Sequence, residues 1–342
     1  ISDGRPSAAA LILSGCISHL SQQRSASPAH DPTQSQFFFS FIIVMFRAFL
    51  IGTVNTKILT INSIVMVITN IVLNYILIFG KLGFPVLGIA GAAIASSISE
   101  AVAFIFFLIY TRLKFDYQKY GLFQSYSINT NILKKVLGVS VWVMVQHGLV
   151  FGGWFVFFIT VEHLGERSLA ITNIIRNISS FLFMFVQAFA SVNSSLVGNL
   201  IGEGKSNEVM KICRKVILLC YAFVLPVVLF IVICPNLVLR VFTDNIELIT
   251  HSIPSLLVML SSYLIAVPTF VWFCAVSGTG NTLSSLWIAI ISLVVYIGYI
   301  SIISNYIPNL MLLWTSEHIY FLGLLILSLY FLLCHNWKRT KL

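Results

Sequence analysis

The sequence is poor in charge of either sign. Only 9% of its 342 residues are Asp, Glu, Lys or Arg, whereas 58% are hydrophobic, and the mean hydropathy is +0.96. A soluble domain carries about 25% charged residues, so this chain has too little polar surface for water, and a bilayer is its expected solvent. The net charge of +9 does not indicate nucleic-acid binding, because the basic residues lie between apolar runs and form no dense patch.

Motifs for metal binding and catalysis are also missing. The six cysteines are scattered and form no CxxC pair, so neither a disulfide framework nor a metal site is predicted. The sequence contains no GxxxxGK[ST] loop for ATP and no HExxH motif for a membrane metalloenzyme. We therefore predict that the protein is not an enzyme and needs no organic or metal cofactor.

The first 36 residues differ from the rest. The stretch SQQRSASPAHDPTQSQ (21–36) is polar, and no initiator Met precedes the segment. LILSGC resembles a lipoprotein cleavage site at Cys16, but its apolar run, 8–13, is short. We interpret 1–36 as disordered or foreign to the fold.

From Phe37 onwards, long apolar runs alternate with short polar breaks. A membrane-spanning helix needs about 20 mostly apolar residues, and open strands cannot span lipid because their backbone groups would stay unpaired. The pattern predicts an all-α integral membrane protein with about nine transmembrane helices. The nine runs are 37–53, 58–80, 87–111, 133–160, 168–196, 209–233, 248–276, 283–304 and 310–334.

Basic residues predict the orientation of these helices. The breaks 112–135 and 202–215 are rich in Lys and Arg and alternate with breaks that are poor in them. Basic loops face the cytoplasm, so the C-terminus, with Lys338, Arg339 and Lys341, is predicted to be cytoplasmic. The protein is expected to be a multi-pass protein of a cell membrane.

An internal repeat relates the two parts of the chain. GTVNT (52–56) and GTGNT (278–282) share four of five positions at an offset of 226 residues, 278 minus 52. Ser99 and Glu100 recur as Ser316 and Glu317 at an offset of 217, 316 minus 99. Both breaks are predicted to be cytoplasmic, so the repeat is parallel, as in transporters that bind substrate between two halves near the midplane.

The repeat also predicts helices that this chain lacks. Within the second half, which starts near Asn131, three runs precede the one that ends in GTGNT, but in the first half none precedes the one that ends in GTVNT. We expect a two-lobe, twelve-helix protein without its first three helices: an incomplete N-lobe over 37–114, a cytoplasmic linker over 115–132 and a complete C-lobe over 133–342. Gly52 and Gly278 are expected to end their helices through backbone freedom.

Two long signatures resemble the multidrug and toxic compound extrusion (MATE) family. NIVLNYILIFGKLGFPVLGIAGAAIAS (70–96) is similar to that family's fifth-to-sixth helix region. LGERSLAITNIIRNISSFLFMF (164–185) and SSLVGNLIGEGK (194–205) resemble its seventh-to-eighth helix region and the following loop. The resemblance implies two six-helix lobes around a central cavity. It also implies export of small organic, often cationic, substrates driven by Na⁺ or H⁺. We expect a monomer in the lipid bilayer.

Candidate binding residues of the first lobe lie on two neighbouring runs. Asn70 and Asn74 are stacked one helical turn apart, and Ser96 of the next run would complete a polar cluster with them. The family often has an acid at the position of Asn74; an amide could coordinate a cation or bind substrate but not carry a proton. Glu100 lies within an apolar run and is either a structural or a functional acid.

The second lobe offers two further groups. Gln146 and His147 lie where Na⁺-coupled members of the family often place a glutamate, and His147 could carry a proton. Asn173, Asn177 and Gln187 share one face of a predicted helix, with Arg176 on its border. That face either lines a cavity or makes interhelical hydrogen bonds.

Three functional hypotheses stay open beside the exporter. A flippase for lipid-linked sugars would need several cationic residues in its cavity, and Arg176 is the one candidate. A membrane-embedded enzyme would need a nucleophile–base pair or a metal cluster, for which no pattern is found. An inactive fragment is expected if one lobe is incomplete.

Three prolines lie inside apolar runs and are predicted to kink their helices: Pro226, Pro254 and Pro268.

Overall fold

The computed structural model describes residues 32–52, 56–114 and 130–334, and in these ranges every regular element is helical. Each of the nine predicted apolar runs is helical over most of its length, so the all-α prediction is confirmed. The elements are α1 (Pro32–Gly52), α2 (Thr56–Phe79), α3 (Gly88–Lys114), α4 (Thr130–Glu162), α5 (Glu166–Gly202), a 3₁₀ turn (Ser206–Glu208), α6 (Val209–Ile233), α7 (Pro235–Leu239), α8 (Ile246–Gly278), α9 (Thr282–Tyr306), α10 (Leu310–Trp314) and α11 (Ser316–Cys334).

Three predicted boundaries differ from the structure. Helix α1 begins at Pro32, so 32–36 is helical; proline suits a first helical position because its missing N–H would be unpaired there anyway. Helix α4 begins at Thr130, inside the predicted linker. The last apolar run is interrupted at Thr315, whose hydroxyl donates to the Leu312 carbonyl at 2.6 Å in competition with the backbone.

Some predictions fall on residues outside the described ranges. These are the nature of 1–31, the middle of GTVNT at 53–55, most of the linker at 115–129, and the basic C-terminal residues within 335–342.

Eight of the described helices are long and apolar enough to cross a membrane, and α1 adds a shorter apolar stretch, Phe39–Ile51. The lengths of the eight spans, 23 to 37 residues, match or exceed the thickness of a hydrocarbon core. The protein is therefore a multi-pass membrane protein.

The chain divides into two compact units, 1–127 and 128–342. In the first unit, α3 packs against both α1 and α2. Helices α2 and α3 approach closely at Gly91, where an added Cβ would lie 2.7 Å from the Leu77 carbonyl oxygen. Ile43, Ala103 and Phe107 contribute to a small apolar core in this unit.

The second unit is organised around α8. This helix packs against α5, α6 and α11 and is the most deeply buried of the eight spans. At its C-terminal end a Cβ on Gly278 would lie 2.6 Å from the Ser194 carbonyl oxygen of α5, so the two backbones meet there with no room for a side chain. Side chains such as Leu182, Val267 and Trp314 fill the core around it.

The roles of the two glycines in GTGNT differ from the prediction. Gly278 is the last residue of α8, but it does not adopt the left-handed conformation; Gly280 does, at φ +81°. The prediction about Gly278 was therefore wrong in its reason, because close packing requires this glycine and the turn requires the next one. Asn281 caps α9, since its side-chain oxygen accepts from the Ser284 N–H at 3.2 Å.

Proline 268 lies inside α8, as the sequence predicts. A proline has no N–H, so it leaves the carbonyl four residues earlier without its helical hydrogen bond. That carbonyl belongs to Leu264, and the hydroxyl of Tyr221 on α6 donates to it. The tyrosine thus replaces the missing donor and joins α6 to α8 at a position where lipid would offer none.

Replacing Tyr221 with phenylalanine is expected to destabilise the protein by about 1 kcal/mol, the usual net contribution of one hydrogen bond. In a Pro268→Ala background the restored N–H bonds Leu264, so the same substitution should cost less than half as much. Thermal unfolding of the four proteins in one detergent measures the cycle. An equal cost of Tyr221→Phe in both backgrounds would contradict this account of the proline.

Candidate functional site

Four polar side chains meet between α2 and α3, and we call them the asparagine cluster: Asn70, Asn74, Ser96 and Ser99. The Asn70 amide nitrogen donates to the Ser96 hydroxyl at 3.4 Å and to the Ser99 hydroxyl at 3.3 Å. The Asn74 amide nitrogen donates to the Asn70 side-chain oxygen at 2.8 Å. The structure thus brings the three predicted residues Asn70, Asn74 and Ser96 together, and Ser99 joins them.

The local sequence explains why these groups meet. Asn70 and Asn74 are one turn apart on α2, and Ser96 and Ser99 are three residues apart on α3, so each pair projects from one face. The close approach of the helices at Gly91, one and two turns before the serines, brings the two faces within reach of one another.

The cluster is rich in oxygen and contains no titratable group. The side-chain oxygen of Asn74 is buried and has no hydrogen-bond partner among the described residues. An unpaired carbonyl oxygen inside a membrane protein is costly, so this atom is a ready acceptor for a bound cation or a substrate N–H. The cluster could therefore bind a solute but could not release a proton to it.

Glu100 connects a different pair of helices. Its Oε2 accepts a hydrogen bond of 2.5 Å from the Ser40 hydroxyl, so this half-buried acid of α3 is tied to α1. In this position the carboxyl has a clear structural role within the first unit.

In the second unit, the adjacent residues Gln146 and His147 point to different surroundings. Gln146 is buried, and its Oε1 accepts from the Ser285 hydroxyl of α9 at 3.1 Å. His147 is exposed on the neighbouring face of α4. Gln146 thus makes the kind of interhelical hydrogen bond that polar residues often provide in membranes, and the structure does not bring the two residues to one site.

The predicted polar face of α5 is partly buried and partly exposed. Asn173 and Asn177 are half-buried, and Gln187 is exposed midway along the helix. The Arg176 guanidinium carbon lies 4.8 Å from the centre of the Phe158 ring, a cation–π contact with α4.

One buried acid, Glu317, was missed as a candidate. It lies at the start of α11 and is 5% exposed, and the Tyr296 hydroxyl of α9 donates to its Oε1 at 3.2 Å. The sequence analysis uses Glu317 only as a marker of the repeat. Its position within a long apolar run, which makes a carboxyl costly, is the signal that could have identified it.

Two exposed ion pairs lie at helix ends in the described ranges. Arg167 and Glu247 form an ion pair of 2.8 Å between the first turns of α5 and α8. Lys205, in the turn after α5, lies 2.8 Å from Glu203, and this hydrogen bond raises the pKa of the Lys205 ammonium above its usual value. Such exposed pairs contribute little to stability and have no part in the site.

The fold and these buried polar groups define the protein as a multi-pass helical membrane protein with polar side chains buried inside its spans. The MatE family model matches residues 143–307. The probable multidrug resistance protein NorM of Thermotoga maritima is 28% identical over 255 residues, which is 74% of this chain and 54% of the relative. The protein of the same name from Photorhabdus laumondii is 34% identical over 163 residues, covering 47% of this chain and 36% of the relative.

Solved structures agree at the level of the fold. A MATE protein in the straight conformation has a TM-score of 0.75 at 21% identity, covering 90% of this chain and 67% of that one. A Vibrio cholerae MATE transporter has a TM-score of 0.74 at 15% identity, covering 90% and 69%. The chain is thus similar to the MATE family over residues 143–307, and the predicted MATE-like fold is confirmed. It spans about half the length, or less, of the curated relatives named above.

Proposed function

We propose that the protein takes part in the export of small organic compounds, many of them cations, across the bacterial plasma membrane. Export proceeds by alternating access in antiport with Na⁺ or H⁺ and uses no other cofactor. The C-terminus lies in the cytoplasm, and the protein works as a monomer in the bilayer. Similarity to the MatE family model over residues 143–307 supports this function, as do relatives that are themselves named multidrug resistance proteins.

The exposed polar side chains of α5 are the observation that carries the proposal. Gln187, Ser180 and Ser191 are exposed on a single membrane-spanning helix of 37 residues. An amide that faces lipid has no partner for its hydrogen bonds, so an exposed Gln187 in mid-span favours contact with water or a polar solute. A drug-like compound that passes along this face would find donors and acceptors at successive turns.

The asparagine cluster supports coupling to an ion. Its oxygen atoms suit a small hard cation, which prefers carbonyl and hydroxyl ligands. The unpaired Asn74 oxygen offers one acceptor at once, and the Asn70 oxygen becomes available if Asn74 turns away.

Efflux of a fluorescent cationic dye tests the proposal. Cells without their own multidrug exporters, expressing the protein from its full natural gene, should accumulate less dye than cells with an empty vector. Gln187→Leu should weaken efflux by about threefold to tenfold through loss of one hydrogen bond to the solute. Thr250→Val is the matched control, because its hydroxyl bonds only the Ile246 carbonyl of its own helix. No efflux above the empty vector across a broad panel of dyes would overturn the proposal.

A further inference from the structure

Glu317 lies at a small cavity between α4, α9 and α11. The cavity is lined by Val150, Gly153 and Trp154 of α4, by Leu293 and Tyr296 of α9, and by Glu317 and Tyr320 of α11. Most of these groups are apolar or aromatic. The carboxyl thus sits in a pocket of low polarity, with the Tyr296 hydroxyl as its hydrogen-bond donor.

No basic side chain compensates this acid within the described ranges. The ion pairs found there are Arg167–Glu247 and Lys205–Glu203, both at the exposed ends of helices. An ionised carboxylate without a partner costs several kcal/mol when it is buried, so such a group takes up a proton or a bound cation.

The lining of the cavity favours a proton over a metal ion. Hard metal cations need about six oxygen ligands. Here the carboxyl and the two phenols of Tyr296 and Tyr320 are the side chains that carry oxygen, whereas Val150, Leu293 and Trp154 carry none. A proton needs only the carboxyl oxygen that Tyr296 leaves free.

Among the titratable groups of this pocket, the Glu317 carboxyl is the group that exchanges a proton. Tyr296 faces it from α9 and Tyr320 from α11, and Tyr263 of α8 is within electrostatic range. Phenols normally lose their proton only near pH 10. His318 follows on α11, but its Nε2 is engaged with the Ser261 hydroxyl at 2.9 Å. Helix α4 contributes Trp154, which does not titrate.

The internal repeat relates this pocket to the asparagine cluster. The offset of 226 maps Asn70 onto Tyr296, because 70 plus 226 is 296. The offset of 217 maps Ser99 onto Ser316 and Glu100 onto Glu317. Asn70 bonds Ser99 in the first unit, and Tyr296 bonds Glu317, next to the buried Ser316, in the second. The same junction between two helices is therefore polar in both halves, but it is acidic at the contact only in the second.

We propose that Glu317, with Tyr296 as its hydrogen-bond donor, is a proton-binding site inside the second unit. Glu317 takes up a proton on its carboxylate and releases it when the packing of α4, α9 and α11 changes. The existence of the site rests on its own geometry, whereas its part in coupling rests on the proposed export function.

Infrared difference spectroscopy of the purified, reconstituted protein tests the site without any substrate. A pH step should reveal the carbonyl stretch of a protonated carboxylic acid, and D₂O should move that band to lower frequency. Glu317→Gln should remove the band. Tyr296→Phe should move it to higher frequency, since the carbonyl oxygen loses a donor. Glu247→Gln, at the exposed ion pair, is the control and should leave the band unchanged.

Several outcomes would overturn the site. One is a spectrum in which Glu317→Gln and Tyr296→Phe both leave the band in place. Another is a band that disappears on addition of Na⁺ at constant pH, which would assign the carboxyl to a metal ion. Dye efflux separates this proposal from the export function: efflux without the band overturns the site alone, and the band without efflux overturns the export function alone.

Discussion

Replacing Gly278 with alanine is expected to destabilise the protein by about 1 to 3 kcal/mol, the range for overpacked cores. The new Cβ would lie 2.6 Å from the Ser194 carbonyl oxygen and 3.1 Å from the Val197 Cβ, both on α5. A flexible side chain could turn away from such a contact, but a helix backbone cannot. Helices α5 and α8 would have to separate, and α8 is the most deeply buried span of the second unit.

Gly298→Ala is the matched control for this substitution. Gly298 lies inside α9, and no heavy atom lies within 4 Å of the position of its added Cβ. Alanine favours a helix over glycine by about 1 kcal/mol, so this variant should be slightly more stable. Thermal unfolding in a single detergent compares the two proteins. Shifts of the same sign and size in both variants would contradict the packing role of Gly278.

The nine long helices could be predicted because membrane insertion leaves a coarse and local signal. Length and apolar composition suffice to identify a span, and the limits of α6, 209–233, agree to the residue. The errors arise where one side chain decides a boundary. Pro32 permits an early start of α1, and the hydroxyl of Thr315 ends α10. Such single contacts do not alter the average hydropathy of a run.

The site could be predicted only where the signal lies within one helix. Asn70 and Asn74 are four residues apart, so their stacking follows from helix geometry alone. The register of α4 against α9 decides whether Gln146 or its neighbour His147 faces a hydrogen-bond partner. The hydropathy pattern of α4 does not determine that register. The pairing of Glu317 with Tyr296 has the same origin, because it joins two separate helices.

The reason why position 278 needs a glycine also lies in a distant part of the chain. GTVNT and GTGNT repeat in the sequence, and Gly278 indeed ends a helix. Its need for glycine, however, arises from α5, whose Ser194 lies 84 positions earlier, 278 minus 194. Inspection of the local sequence alone attributes Gly278 to the turn, because the turn directly follows it in the chain.

Asn70→Ala is expected to reduce dye efflux by at least about tenfold while the protein still inserts and folds, the loss that corresponds to about 1.4 kcal/mol of binding. Asn70 is the centre of the asparagine cluster: its nitrogen holds Ser96 and Ser99, and its oxygen holds Asn74. Alanine removes all three contacts. The Asn74 amide and the serine hydroxyls then bond one another or their own helices, and the oxygen atoms no longer converge on the cation that the proposed function requires.

Efflux and abundance should be measured together in cells that express each variant from the full natural gene. Asn70→Asp keeps an oxygen that accepts from Asn74, so it should retain more efflux than Asn70→Ala. Thr60→Val, at an exposed position of the same helix, is the control and should transport normally. A cluster that only holds α2 against α3 would lower the amount of folded protein in step with efflux. Normal efflux in Asn70→Ala at normal abundance would remove the cluster from the transport mechanism, because this substitution removes all three hydrogen bonds that Asn70 makes in the cluster.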